Sequence, residues 1–223
     1  MIVFVGAGPL AYLCYQELLN RNLAISLTWT GLGASPDVLI SVQYPHRIED
    51  VVLRRFRLCA NLHTGLLPDN KGVHTCAAPI LRGDQQTGVT LHEMTSAIDE
   101  GDIILQSAYP MLPSDTCESL YYKGVFAGVE LFKQFLDLLM PYREGRVNPQ
   151  QIEEVLSMKK SQPSGGYRTL RGSIDFSGPL HEDDPLFERK LRAYFFPQKQ
   201  FPVVMKEGKR LKLVSMLPER YET

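Results

Sequence analysis

Asn61 and His63 stand two residues apart at the end of an apolar run. On a β-strand both side chains leave the same face. A turn-rich loop follows, punctuated by Pro68, Asn70 and Gly72. The spacing then predicts a helix over 75–81 closed by Gly83, and a strand over 88–92. The stretch ends in Asp99, Glu100, Gly101 and Asp102 before apolar Ile103, Ile104 and Leu105. An amide, an imidazole and a carboxylate on adjoining strand ends are the parts of an acyl-transfer site. Moving an acyl group between two nitrogens requires a base for the attacking amine, a donor for the oxyanion and a proton for the leaving nitrogen. A histidine suits the proton steps, a fixed amide suits the oxyanion, and a carboxylate orients the imidazole and stabilises its charged form. These roles need neither a metal nor a covalent intermediate. An isolated Asn-x-His pair reads equally well as structural, so the Leu-Pro turn and the Asp-x-Gly-Asp end carry the weight.

Formal net charge is −1 over 223 residues, which argues against nucleic acid as the main partner, because phosphate binding leaves a basic footprint. Local clusters such as Arg54, Arg55 and Arg57 read as solvated faces. Cys14, Cys59, Cys76 and Cys117 show no metal-ligand or CxxC spacing and read as reduced thiols of a cytoplasmic protein. No apolar run is long enough to span a bilayer, so no membrane partner is expected. The opening MIVFVGAG reads as a strand rather than a signal peptide.

The elements that must position the site follow from periodicity. Residues 2–5 form a continuous apolar run, as in a buried parallel strand. Gly6, Ala7 and Gly8 break it, and Leu10, Leu13, Cys14 and Leu18 have helical spacing. Strands are expected at 23–29, 37–42 and 58–63, with an amphipathic helix over 48–56 whose apolar side is Val51, Val52 and Phe56. Gly6, Gly8 and Ala11 fit the G-x-G-x-x-A pattern of dinucleotide binding. The acidic residue expected after the second strand is absent, with Thr28, Trp29 and Thr30 in its place. These glycines therefore read as a tight turn, with Gly8 and Pro9 as candidates for an anionic substrate group at a helix start. A long helix is expected from Asp115 or Thr116 to about Met140, with Leu120, Val125, Val129, Phe132, Phe135 and Leu139 as its core stripe, and a short one over 150–158. A linker at 161–166 divides the chain into 1–160, the catalytic domain, and 161–223, a small extension packed on it. The extension should hold a helix over 184–194, capped by Asp183 or Asp184, and a hairpin around Glu207 and Gly208. Tyr194, Phe195, Phe196 and Phe201 form an aromatic group that is either the interface between the two parts or a stacking platform at the mouth of the site.

The central stretch resembles the motif of the formyltransferases that use N10-formyltetrahydrofolate. That family includes glycinamide ribonucleotide transformylase, methionyl-tRNA formyltransferase and the sugar N-formyltransferases. The matching residues are Asn61-Leu62-His63, Leu67-Pro68, Gly72, Gly88-Val89-Thr90-Leu91-His92 and Asp99-Glu100-Gly101-Asp102. The resemblance covers about 1–139, and its specific motifs fall within 61–104. It implies a pared-down Rossmann-like α/β fold, with a mostly parallel sheet flanked by helices and a small α+β tail carrying a hairpin. It implies Asn61, His63 and Asp99 as the catalytic triad, with Asp102 bracing the turn before its strand. It implies N10-formyltetrahydrofolate as formyl donor, held by Tyr44, Pro45, His46, Arg47 and Ile48 on one side and by Thr95, Ser96, Ala97 and Ile98 on the other. One departure is Thr64-Gly65, where the family usually has Pro-Ser.

Within the family, a tRNA enzyme is expected to carry a larger basic C-terminal domain. A glycinamide ribonucleotide enzyme is expected to have a Ser/Asn-rich phosphate loop, in which Pro9 would remove a donor. The compact front half and aromatic tail are most similar to the sugar N-formyltransferases, which act on nucleotide-linked amino sugars for surface polysaccharide such as lipopolysaccharide O-antigen. Gly8, Pro9, Asn70, Lys71 and Phe196 are then candidate acceptor contacts. Amino-acid, glycinamide ribonucleotide or carrier-bound amines are the alternative acceptors, and a nicotinamide-dependent oxidoreductase is the rival from another class. The hairpin region 203–216 either supports a homodimer or covers the site.

Overall fold

The computed structural model describes residues 1–30, 37–139, 141–142, 145–163, 174, 176, 178–196, 201–213, 216 and 221–222. The chain opens with β1 (Ile2–Gly6), α1 (Gly8–Asn20), β2 (Ile25–Ser26), β3 (Val38–Val42), the single turn α2 (Asp50–Leu53) and β4 (Leu58–His63). It continues with α3 (Ala77–Arg82), β5 (Gln86–Glu93), β6 (Ile103–Pro110) and the long α4 (Cys117–Leu138). A two-stranded ribbon, β7 (Pro141–Tyr142) with β8 (Arg146–Val147), leads into α5 (Pro149–Met158). The tail carries β9 (Leu180–His181), α6 (Phe187–Tyr194), β10 (Val203–Lys206), β11 (Lys209–Leu213) and β12 (Tyr221–Glu222).

The main sheet runs β2-β1-β3-β4-β5-β6, parallel from β2 to β4 and antiparallel from β4 to β6. This is the mixed α/β fold expected, with helices on the sheet. Strands covered on both faces read as continuous apolar runs, and β1 and β3 do so (IVFVG, VLISV). One face packs on α1, α4 and α5 through Leu10, Cys14, Leu18, Phe132, Phe135 and Ile152. The other face of β1, β3 and β4 (Val3, Val5, Leu39, Cys59) is covered by Trp29, Tyr44, Ile48, Leu53, Phe56 and Met94. Gly6 lies against Val42 and Ala11, where a Cβ would stand 2.6 Å from the Val42 carbonyl oxygen and 2.7 Å from the Ala11 methyl. The glycine at this turn is thus required by close helix-sheet packing.

α4 starts at Thr116, whose hydroxyl accepts from the Ser119 N–H while the Ser119 hydroxyl accepts from the Thr116 N–H, a reciprocal cap. α3 ends at Gly83, φ 75°, as its position predicts. The tail hairpin turns at Glu207 and Gly208, both at positive φ, and its sheet order is β12-β11-β10-β9. A second apolar cluster joins this tail to the body: Ala77, Ile80 and Leu120 meet Leu180, Leu191, Tyr194, Phe195, Val204 and Leu213.

Three expectations change. The strand over 23–29 shrinks to Ile25–Ser26, because Ser26, Thr28 and Thr30 hydroxyls hydrogen-bond the local backbone and one another and curl the chain. The helix over 48–56 is one turn followed by i→i−3 bonds, with Val51 67% exposed; its packed residues are Ile48, Leu53 and Phe56. α6 begins at Phe187 rather than 184, since Asp184 accepts from the Leu186 N–H and closes a turn ahead of it. Met140 at the expected end of the long helix, residues 164–166 of the linker and residues 214–215 of the hairpin region lie outside the described residues.

Candidate active site

β4 delivers Asn61 and His63 to its C-terminal end, where ligands bind in sheets of this kind. The partner strand β5 places His92 opposite Asn61 and Thr90 opposite His63. Its Val89 and Leu91 enter the core while Thr90 and His92 are buried toward the site, and the β5–β6 register slips at Leu91/His92. Asp99 arrives on the loop between β5 and β6 with φ 56°, a left-handed conformation that aspartate tolerates. That loop is drawn onto β5 at Gly101, where a Cβ would lie 2.0 Å from the Glu93 carbonyl oxygen. The Gln162 amide ties it from outside, donating to the Asp99 and Gly101 carbonyls at 2.9 and 2.8 Å.

His63 is 8% exposed, and its two ring nitrogens meet different groups. Nε2 lies 2.6 Å from the Asn70 carbonyl oxygen, which can only accept, so Nε2 carries a proton. Nδ1 faces the Asp99 carboxylate at 3.6 Å, an ionic approach rather than a hydrogen bond. Nδ1 is therefore the position that gains and loses the second proton. Burial pushes the His63 imidazolium below its ordinary 6.5, with Asp99 and the Asn70 carbonyl pulling the other way. At neutral pH His63 is an unprotonated base. Burial opposes ionisation of Asp99 as well, but the His92 and His63 rings and the Gly72 N–H at 2.8 Å outweigh it and bring the carboxyl to about 2.

The Asn61 amide donates to His92 Nε2 at 3.1 Å, and His92 Nδ1 donates to the Glu93 carbonyl at 2.8 Å. This pair fixes the His92 tautomer and the rotation of the Asn61 amide, whose second N–H remains for a ligand. His92 Nε2 also lies 3.5 Å from Asp99, so one carboxylate stands between two imidazoles. The sequence placed His92 in the motif but gave it no role; its pairing opposite Asn61 was the available signal.

The loop after β4 is built to hold the Asn70 carbonyl against His63. The Thr90 hydroxyl donates to the Gly65 carbonyl and accepts from the Leu67 N–H, and Gln106 donates to Leu67 and Thr90. The Asn70 side chain donates to Thr87 and accepts from Arg82. A Cβ at Gly65 would lie 2.7 Å from both His63 Nε2 and the Asn70 carbonyl oxygen, so the departure from Pro-Ser at 64–65 makes room for this contact.

A cavity of about 440 Å³ opens beside these groups. Asn61, His63 and Asp99 line it, as do all of residues 44–48 and 95–98. Arg47 donates to the Ser96 carbonyl at 3.0 Å and joins the two segments. Exposed Ile98 and Val73 stand at its rim. The five candidate acceptor residues do not line this cavity. Gly8 borders a neighbouring one of about 540 Å³ that shares the Tyr44 wall. Pro9 is in the first turn of α1. The Asn70 side chain is taken up by Thr87 of β5 and Arg82 of α3. Lys71 pairs with Glu100 at 2.6 Å and clasps the two loops. Phe196 is 5% exposed with its ring on Tyr121, so it offers no free face for a base; Tyr194 and Phe195 are packed likewise on Phe176 and Phe201.

The model of the formyl transferase family matches residues 26–136. A methionyl-tRNA formyltransferase of Ehrlichia canis (strain Jake) is 30% identical over 184 residues, 82% of this chain and 54% of that protein. The chain belongs to the formyltransferase family. It spans about half the length of the curated relatives it matches. Among solved formyltransferases, WlaRD, a sugar 3N-formyl transferase in the presence of dTDP and 5-N-formyl-THF, superposes with a TM-score of 0.71 at 21% identity. The match covers 95% of this chain and 84% of that one. The N-formyltransferase from Helicobacter canadensis, in complex with folinic acid and dTDP-3-aminofucose, gives 0.69 at 20% identity over 96% and 86%.

Proposed function

We propose that this chain transfers a formyl group from N10-formyltetrahydrofolate to the primary amine of a nucleotide-linked amino sugar. One observation carries the transfer itself: Asn61, His63 and Asp99 border a single cavity with both segments expected to hold the folate. The cavity mixes apolar walls (Ile48, Leu53, Met94, Ile98) with polar groups, which suits a flat heteroaromatic ring. The donor supplies an activated formyl carbon. As the acceptor nitrogen bonds to that carbon, His63 Nδ1 takes the amine proton, and Asp99 holds the imidazolium so formed. The free N–H of the Asn61 amide meets the carbonyl oxygen as charge develops there. When the donor's C–N bond breaks, His63 returns the proton to the leaving nitrogen.

Asn70 and Asp99 divide the support of His63. The carbonyl at 2.6 Å orients the ring, and the carboxylate at 3.6 Å stabilises its charge. The sugar acceptor is favoured by the extent of the fold match, which includes the tail sheet as well as the catalytic sheet. Transfer to methionyl-tRNA is the second reading, favoured by the sequence relatives. Mass spectrometry of reactions holding N10-formyltetrahydrofolate with dTDP- and UDP-linked amino sugars, and separately with methionyl-tRNA, discriminates them. A sugar nucleotide heavier by one formyl group supports the proposal; formylation of methionyl-tRNA alone overturns the sugar assignment. We place the reaction in the cytoplasm and take the boundary near residue 160 as the limit of the catalytic domain.

A further inference from the structure

Gln43 stands just beyond β3, in the left-handed region at φ 51°. Four described residues other than glycine have positive φ. Asn22 and Glu207 sit in turns, where such backbone is routine. The other two, Gln43 and Asp99, both line the cavity that holds His63. Unfavourable backbone concentrates where surrounding structure holds a residue for a task. Parallel pairing sets Ser41 beside Asn61 and Val42 beside Leu62, so Gln43 is the next position, one strand from His63.

Its side chain reaches toward the start of α1. The Tyr121 hydroxyl stands beside it at the same end of α1, and Tyr121 is backed by the buried Phe196 ring. The carboxamide oxygen Oε1 is buried without a hydrogen-bond partner among the described residues. Gly8 leaves space in front of it, since a Cβ there would come to 3.4 Å. A buried acceptor left unpaired is costly, and native proteins keep one where a ligand satisfies it. The folate segments, 44–48 and 95–98, lie on the β3–α2 and β5–β6 connections, whereas the Gln43 side chain faces Gly8 of α1 and Tyr121 of α4.

We propose that Gln43 binds the acceptor: its carboxamide oxygen receives a hydrogen bond from an N–H or O–H of the amine-bearing substrate and sets the amine toward His63. The assignment rests on the formyl-transfer reading. It selects acceptors with a donor on or beside the reacting amine, and it disfavours tertiary or fully alkylated neighbours.

The test compares Gln43→Asn and Gln43→Met with wild type. Asparagine tolerates left-handed backbone but shortens the arm, and methionine keeps the length without the oxygen. Steady-state rates are measured against dTDP-3-aminofucose, or whichever panel amine the wild type formylates, and folinic acid affinity by calorimetry. We expect the acceptor KM to rise about ten- to hundredfold in both variants, with folinic acid affinity within about twofold of wild type. An unchanged acceptor KM overturns the assignment, as does a matching loss of folinic acid affinity, which would put Gln43 on the donor side. A wild type that binds folinic acid but formylates no amine in the panel overturns both this and the proposed function. Formylation of an amine other than a sugar overturns only the sugar reading and leaves Gln43 to be judged on that acceptor.

Discussion

Two corners of the same cavity are finished to different degrees. On the β4–β5 wall, Asn61, His63, His92 and Asp99 all have partners, and backbone carbonyls fix which ring nitrogens carry protons. At the α1 corner a carboxamide oxygen is buried without a partner among the described residues, and the helix start has no side-chain cap. The first corner is a preorganised machine whose groups need no ligand to be in place. The second holds polar groups awaiting one. Substitutions on the wall should therefore act on turnover, and substitutions at the corner on acceptor affinity.

The strongest way to break this contrast is His63→Ala, which removes the base; we expect kcat to fall about 10²- to 10⁴-fold with folinic acid affinity nearly kept. Near-normal turnover would move the chemistry elsewhere. Asp99→Asn comes next. It should cost about 10²-fold or more in kcat, and it adds a pH signature. The base is active when neutral, so kcat/KM of the wild type falls as pH drops through a value below 6.5. Asp99 raises that value, so the asparagine variant should show its acid limb at lower pH still. A limb shifted to higher pH would contradict the ionic role.

Gly65→Ala sharpens the division of labour around His63. The added Cβ would meet Nε2 and the Asn70 carbonyl, so the orienting contact breaks. Turnover should fall about tenfold or more and stability by about 1–3 kcal/mol, read by urea denaturation. Phe196→Ala should change catalysis least. Its ring is buried behind Tyr121, so the loss is mainly stability, about 3–5 kcal/mol, with a small rise in acceptor KM transmitted through Tyr121 and Gln43. A large rise in acceptor KM at unchanged stability would restore direct contact with the substrate.

The legible part of this site was chemistry tied to side-chain type at strand spacing. Asn61 and His63 could be read because a period of two fixes their common face. Asp99 could be read from its place in a motif, and the apolar runs of β1 and β3 announced buried strands. The orienter of His63 was illegible, because a backbone carbonyl belongs to every residue; the Asn70 side chain, which its residue type advertises, is bound instead by Thr87 and Arg82. Gln43 escaped for a related reason. Its interest lies in a backbone angle and an unpaired oxygen, and a lone glutamine after a strand predicts neither. The aromatic group of the tail, open in sequence to two readings, is packed inward at Tyr194, Phe195 and Phe196.

We propose above that the wall at Asn61, His63 and Asp99 moves a formyl group onto an amine. Its most direct test is an end-point mass-spectrometric assay of wild type and His63→Ala with N10-formyltetrahydrofolate and the panel of nucleotide-linked amino sugars. One sugar nucleotide should gain a single formyl mass with wild type and almost none with the variant. Equal product from both proteins would contradict it, and no sugar product from a wild type that still binds folinic acid would overturn the sugar assignment.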